Sequence, residues 1–296
     1  MTAPRSFTRL TAEWWLVCIV STLLVVFCVA EDATQKVDNL LYDMLMRGNH
    51  RDPDPAILLV TIDNRSLDEI GPWPWTRRDQ ARLLRNLARS KPKAIAYDVL
   101  LTEPQDIEGD QALAGAINSG APVFLPLEFD LPGRNGASHD TVLPIVPFRE
   151  AAAGVGHVSL SFDPDGSVRR IYRTYSDQSG DWATMVSFLA ERAGRRQPAP
   201  ERLFARGDKD ALVARTPLLI DYAGPQGHYP AISAASIFKN EVPEELLRGR
   251  LILVGATASG LGDMHATPVG IDGVPMPGVE IQANLLDSLL NRRELT

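Results

Sequence analysis

Three aspartates stand where an α/β sheet would place its chemistry. Asp63 closes the apolar run ILLVTID, Asp98 falls late in AIAYDVLL, and Asp263 and His265 follow LILV, with Gly255 and Thr257 between. If these runs are neighbouring strands, their polar side chains gather beyond the carboxyl ends, where open α/β sheets bind ligands. Clustered carboxylates there can hold a cation, grip the hydroxyls of a polar ligand, or act as acid and base. Asp63, Asp98, Thr257, Asp263 and His265 are therefore the candidate ligand-binding residues. A structural role stands beside each of them. An aspartate at a strand end also caps the next helix or shapes a turn, and Asp63 lies three residues before Ser66. Asp263 sits in the glycine-rich loop VGATASGLGD, whose backbone N–H groups can cradle an anion. The loop lacks the G-K-[ST] ending of a P-loop.

Other chemistries are poorly served. The five histidines are scattered, with no H-x-x-x-H pair to hold zinc. No serine occupies a G-x-S-x-G elbow. The two cysteines, Cys18 and Cys28, both lie in one apolar run, so the rest of the chain holds no thiol nucleophile and no disulfide framework. FDPDGS, Phe162 to Ser167, lacks the later glutamate of a calcium loop and reads as a hairpin turn. Trp73 and Trp75 could stack on a sugar or base, but Pro72 and Pro74 beside them suit a turn pinned to the core. No cofactor and no metal is expected. The net charge of -7 argues against nucleic acid. The basic stretch Arg77, Arg78, Arg82, Arg85, Arg89, Lys91 and Lys93 reads as the wet side of one helix.

The elements that would position these residues alternate in type. Strands are expected at ILLVTID, AIAYDVLL, PVFLPLEF, LLIDY and RLILVG, and helices from about Thr76, over Asp110 to Ser119, over Trp182 to Arg192, and from Gly278 to Leu290. HVSLS and VRRIYRTY flank the FDPDGS turn as a hairpin. Residues 131–138 read as a polar loop, and 194–215 carry no clear pattern. Continuous apolar strands between helices imply an α/β fold with a largely parallel sheet, flanking helices and an antiparallel hairpin. With 45% apolar residues the chain can bury a sizeable core.

Residues 14–30, WWLVCIVSTLLVVFCVA, carry no charge. A membrane span takes about 17–25 residues. Arg5 and Arg9 precede the run, which would keep residues 1–13 in the cytoplasm and export the remainder. A cleaved signal peptide and a buried core helix are the alternatives. Val37, Leu40, Leu41, Met44 and Leu45 then form one apolar stripe on a juxtamembrane helix over 31–47, which could pack on the domain or on a partner subunit. Residues 48–296 form the single exported domain.

Four blocks together carry a resemblance: VTIDNRSLDEIGPWPWTRRDQARLL, KAIAYDVLLTEP, VGHVSLSFDPDGSVRR, and LILVGATASGLGDMHATPV followed by PGVEIQANLLDSLL. In order and spacing, from about Asp32 to Leu290, they resemble the CHASE2 sensory domain. The resemblance implies an extracytoplasmic sensor behind one membrane helix, with further membrane helices and a cytoplasmic output beyond it: a histidine or serine/threonine kinase, a nucleotide cyclase or a diguanylate cyclase. The chain stops at Thr296, where the next membrane segment would begin. Asp63, Trp73, Pro74, Trp75, Asp98, Asp165, Gly166, Gly255, Thr257, Asp263 and Pro268 fall on the family pattern, which implies no established ligand. The expectation is a non-enzymatic sensory region of a bacterial inner-membrane receptor, with its main domain periplasmic. Its partners would be the membrane, an extracytoplasmic ligand or protein, and a second copy, since kinase and cyclase outputs work in pairs. The alternative is an exported metal-assisted hydrolase using Asp63, Asp98 and Asp263.

Overall fold

The computed structural model describes residues 13–22, 33–48, 50–130, 140–195, 212–261 and 263–293. The chain divides into two compact units, Met1–Gly48 and Asn49–Thr296. In the first unit residues 13–22 are helical (α1), and Ala33–Gly48 form α2. Among the described residues no helix is long and apolar enough to cross a membrane. Most of the second half of the expected span lies outside them. On α2 the side chains of Val37, Leu40, Leu41, Met44 and Leu45 are all exposed.

The second unit is built on a parallel sheet of six strands. Their order is β10 (Ala231–Ser233), β1 (Ile57–Ile62), β11 (Leu251–Ala256), β2 (Ala94–Tyr97), β3 (Val123–Asp130) and β5 (Gly154–His157). A short antiparallel strand, β4 (Asp140–Val142), pairs with the far end of β3. The central strands are apolar at nearly every position because helices cover both faces. Leu58, Val60 and Ile62 of β1 point into one core cluster with Leu83, Leu84 and Leu87 of α4 (Arg77–Arg89). Leu113 and Ile117 of α5 (Ile107–Ile117) and Phe148 of α6 (Val146–Ala151) join them. Each such side chain, fully buried, stabilises the fold by about 1.5–3 kcal/mol before entropy is counted. The alternate residues face α7 (Met185–Arg192), which contacts β2, β3 and β5, and α10 (Gly278–Asn291), which contacts β1 and β11.

The antiparallel portion is a separate four-stranded sheet, larger than a hairpin. β7 (Val168–Asp177) pairs with β6 (Ser161–Phe162) and β8 (Gly180–Ala183) on one side and with β9 (Val213–Leu219) on the other. The FDPDGS turn lies between β6 and β7, with Gly166 at φ +80°, a backbone region that favours glycine. HVSLS is divided between two sheets: His157 ends a parallel strand, and Ser161 begins the antiparallel one. Trp182 belongs to β8, so the following helix starts at Met185 instead.

Helix starts follow the expected capping chemistry. Thr76 caps α4 by accepting from Asp79 N–H, and Asp106 caps α5 by accepting from Gly109 N–H. α10 is the exception to amphipathicity, because its residues from Gly278 to Leu290 are all buried. Its polar side chains bond the backbone of the segment after β9: Asn284 Oδ1 accepts from Ala223 N–H at 2.8 Å, and Ser288 Oγ from Asp221 N–H at 3.1 Å.

Candidate functional site

A cavity of about 690 Å³ opens beyond the carboxyl ends of β11, β2, β3 and β5. That volume is in the usual range for small-molecule sites, about 300–1,000 Å³. Asp98 enters it because β2 ends at Tyr97; Asp98 N–H still bonds Val254 O at 2.8 Å, which fixes the turn. Glu128 comes from the outer end of β3, where the strand outruns its parallel neighbours. Asp263 and His265 come from the loop after β11 and the short strand β12 (Met264–His265), which pairs with β13 (Met276–Pro277).

Asp263 is held by two constraints. His265 Nε2 lies 2.9 Å from its Oδ1, and its backbone oxygen accepts from Gly278 N–H at 3.1 Å. A Cβ on Gly278 would meet both Asp263 carboxylate oxygens at 2.5 Å, so glycine lets the carboxylate lie against the first turn of α10. The positive end of the helix dipole favours a carboxylate there. Gly255 has a matching role, since a Cβ on it would stand 2.6 Å from Val279 Cβ. Two glycines thus bring β11 and the Asp263 loop onto the start of α10.

The Asp98 carboxyl has no hydrogen-bond partner among the described residues. Burial, reinforced by the negative charges of Asp263 and Glu128, pushes its pKa up to about 7. Among the described residues Arg77 is the arginine that lines the cavity. Its Nη2 donates to Glu103 O at 2.7 Å and its Nε lies 3.4 Å from Asp110 Oδ1. Arg77 is 5% exposed, which corrects its assignment to the wet face of α4. It anchors the cavity-lining loop at Glu103 and stacks over the Phe148 ring, 5.3 Å from its centroid.

Asp63 and Thr257 are not among the residues lining this cavity. Asp63 caps α3 (Asn64–Ile70), and its Oδ1 accepts from Ser66 N–H at 2.8 Å, Ser66 Oγ at 2.6 Å and Ser233 Oγ at 2.8 Å. Burial alone would raise its pKa, but these hydrogen bonds outweigh it and hold the carboxyl below the usual carboxylate range. Thr257 is used through its backbone N–H, which bonds Ile62 O. Trp75 is 2% exposed and donates from Nε1 to Gly71 O, pinning the turn as expected, whereas Trp73 lines the cavity. Among the described residues no group of three or more His, Cys, Asp or Glu side chains is placed to hold a metal ion.

Sequence reasoning missed Glu128, Arg77, Ser159 and Gln282. Glu128 gave a signal, as a charged residue late in an apolar strand. The others stand among ordinary polar helix or loop positions, where no spacing rule singles them out.

The second unit thus combines a parallel sheet, a separate antiparallel sheet and a polar cavity at the strand ends. Residues 20–296 match the CHASE2 domain, and the chain belongs to that family. CHASE2 domains are extracytoplasmic sensory domains. Comparison with curated proteins and with solved structures gives no match.

Proposed function

We propose that this chain is the signal-receiving region of a membrane signalling receptor, and that the cavity at the strand ends is where the signal binds. The chain sits in the bacterial inner membrane with the unit Asn49–Thr296 in the periplasm. It works as a homodimer and controls a cytoplasmic output of the histidine kinase, nucleotide cyclase or diguanylate cyclase type. The apolar run 14–30 and its basic flank support the topology. The exposed stripe Val37, Leu40, Leu41, Met44 and Leu45 supports pairing of two copies through α2.

One observation carries the sensory reading. Gly278 and Gln282 of α10 line the cavity, and Asp287 of the same buried helix grips Arg51, three residues after the end of α2. Any ligand that displaces the first turn of α10 therefore acts on the segment leading to the membrane. The displacement is driven only as far as the ligand prefers one position of the helix to the other.

Topology supplies the test. An alkaline phosphatase reporter, which is active only after export, is fused after Thr296 and expressed with residues 1–30 intact. Strong phosphatase activity is expected. A silent phosphatase fusion together with an active β-galactosidase fusion at the same site would overturn the reading.

A further inference from the structure

We infer that the cavity takes a small organic cation, an aliphatic amine whose ammonium group pairs with Asp98 in a space that Glu128 and Asp263 also line. This rests on the cavity being the signal site and adds the chemical class of the signal.

The first argument is charge. Three carboxylates from three different elements line one space, and Arg77 on the same wall is turned from them: its Nη2 donates to Glu103 O and its Nε, without a hydrogen-bond partner, lies 3.4 Å from Asp110 Oδ1. The Asp98 carboxyl finds no donor among the described residues. Carboxylates brought together repel one another and resist ionisation, and a bound cation relieves both effects.

The second argument is independent of the carboxylates. Gln282 lines the same cavity and is 2% exposed, yet its Oε1 has no hydrogen-bond partner. Its Nε2 donates to Val158 O at 3.2 Å, which fixes the amide so that oxygen is the free atom. Ser159 Oγ, on the same wall, is also buried without a partner. Buried polar atoms normally find partners. An unmet acceptor beside the unpartnered Asp98 carboxyl calls for a ligand that donates, and an ammonium offers N–H donors with no acceptor.

The third argument separates an organic amine from a metal ion. The cavity is far larger than an ion needs, and no set of side chains among the described residues is placed to ligate one. Trp73 and Phe162 also line it, and Phe162 is 56% exposed beside His265, with ring centroids 5.4 Å apart. Aromatic faces attract cations, and apolar walls accept an alkyl chain.

The test is a length-matched series against the full chain in detergent, read by calorimetry and thermal melting. The probes are 1,4-diaminobutane, 1,4-butanediol, succinate and Mg²⁺. The diamine is expected to bind saturably and raise the melting temperature, and the diol and dianion to do neither. Asp98→Asn removes repulsion and so retains the fold, but it should weaken the diamine at least about tenfold. Gln282→Leu provides a second variant that keeps all three charges and should also weaken it. Preference for the diol or succinate, binding of Mg²⁺ in competition with the diamine, or no diamine binding at all would each overturn the proposal. The export that the proposed function requires is judged separately by the reporter fusion, whatever the cavity binds.

Discussion

Arg51 Nη1 donates to Asp287 Oδ1 at 2.7 Å, joining the start of the sheet-bearing unit to the middle of its last helix. The Asp287 side chain is fully buried and that of Arg51 is 13% exposed. The same guanidinium reaches Asp221 through Nε at 3.1 Å and the Asp221 backbone oxygen through Nη2 at 2.7 Å. Asp287 also accepts from Asp54 N–H and from Tyr229 Oη. Two chain segments more than 230 residues apart in sequence are thus tied at one buried ion pair. Removing one partner leaves an uncompensated charge in a poorly hydrated place, which typically costs about 3–5 kcal/mol. Arg51→Ala is expected to destabilise the chain by roughly that amount in urea denaturation. A loss under about 1 kcal/mol would show that the pair does not hold the segment.

Asp98 should make stability depend on pH in an unusual direction. Its pKa is raised in the folded state, to about 7 from the ordinary carboxylate value. The folded chain therefore binds more protons than the unfolded chain between about pH 4 and pH 7, and stability falls as pH rises through that window. The contribution is complete below the unfolded pKa and gone above the folded one. The charged groups facing Asp98 are Asp263, Glu128 and Glu103, with Arg77 and His265 on the same walls. Thermal melts from pH 4 to 8 should show Asp98→Asn gaining on the wild type as pH rises. Parallel curves for the two proteins would refute an uncompensated Asp98.

Much of this architecture was legible because local and global preferences agree. The runs ILLV, AIAY and LILV are apolar without alternation, which only strands buried on both faces require. Asp63 before Ser66 and Thr76 before Asp79 are capping patterns that the helices use. The cavity was partly legible, since Asp98, Asp263 and His265 follow strands that turn out to be neighbours. Asp63 follows such a strand too, yet its carboxyl is taken up by two serines, one of them 170 residues distant. No pattern near Asp63 could announce Ser233. Arg77 misled for a similar reason: its helix is basic on its wet side, and only the loop at Glu103 and the Asp110 carboxylate draw this one arginine inside. The antiparallel sheet was underestimated because HVSLS, one apolar stretch, serves two sheets.

Gly255 tests the junction between sheet and helix. Its missing Cβ leaves room for Val279, which is 1% exposed on a helix that packs on β1 and β11. Neither the strand nor the helix can move without disturbing the core, so Gly255→Ala should cost about 1–3 kcal/mol through overpacking. Gly278→Ala differs, because its clash is with the carboxylate end of the Asp263 side chain and not with core atoms. That variant is expected to fold nearly normally while its diamine affinity falls. Equal destabilisation of the two variants would mean that Asp263 is as rigidly set as the core.

Asp63 separates the two roles an acidic strand end can have. Its carboxyl accepts one backbone and two hydroxyl hydrogen bonds at the start of α3 and does not line the cavity. Asp63→Ala removes the cap and leaves Ser66 and Ser233 without their shared acceptor, so a loss of about 1–2 kcal/mol is expected in chemical denaturation. Because the carboxyl's pKa is depressed, its contribution is present above the unfolded pKa and disappears as pH falls through the folded one. Diamine affinity of the folded variant should equal that of the wild type. A variant with unchanged stability and abolished diamine binding would return Asp63 to the ligand site, and with it the three-carboxylate centre of an exported hydrolase.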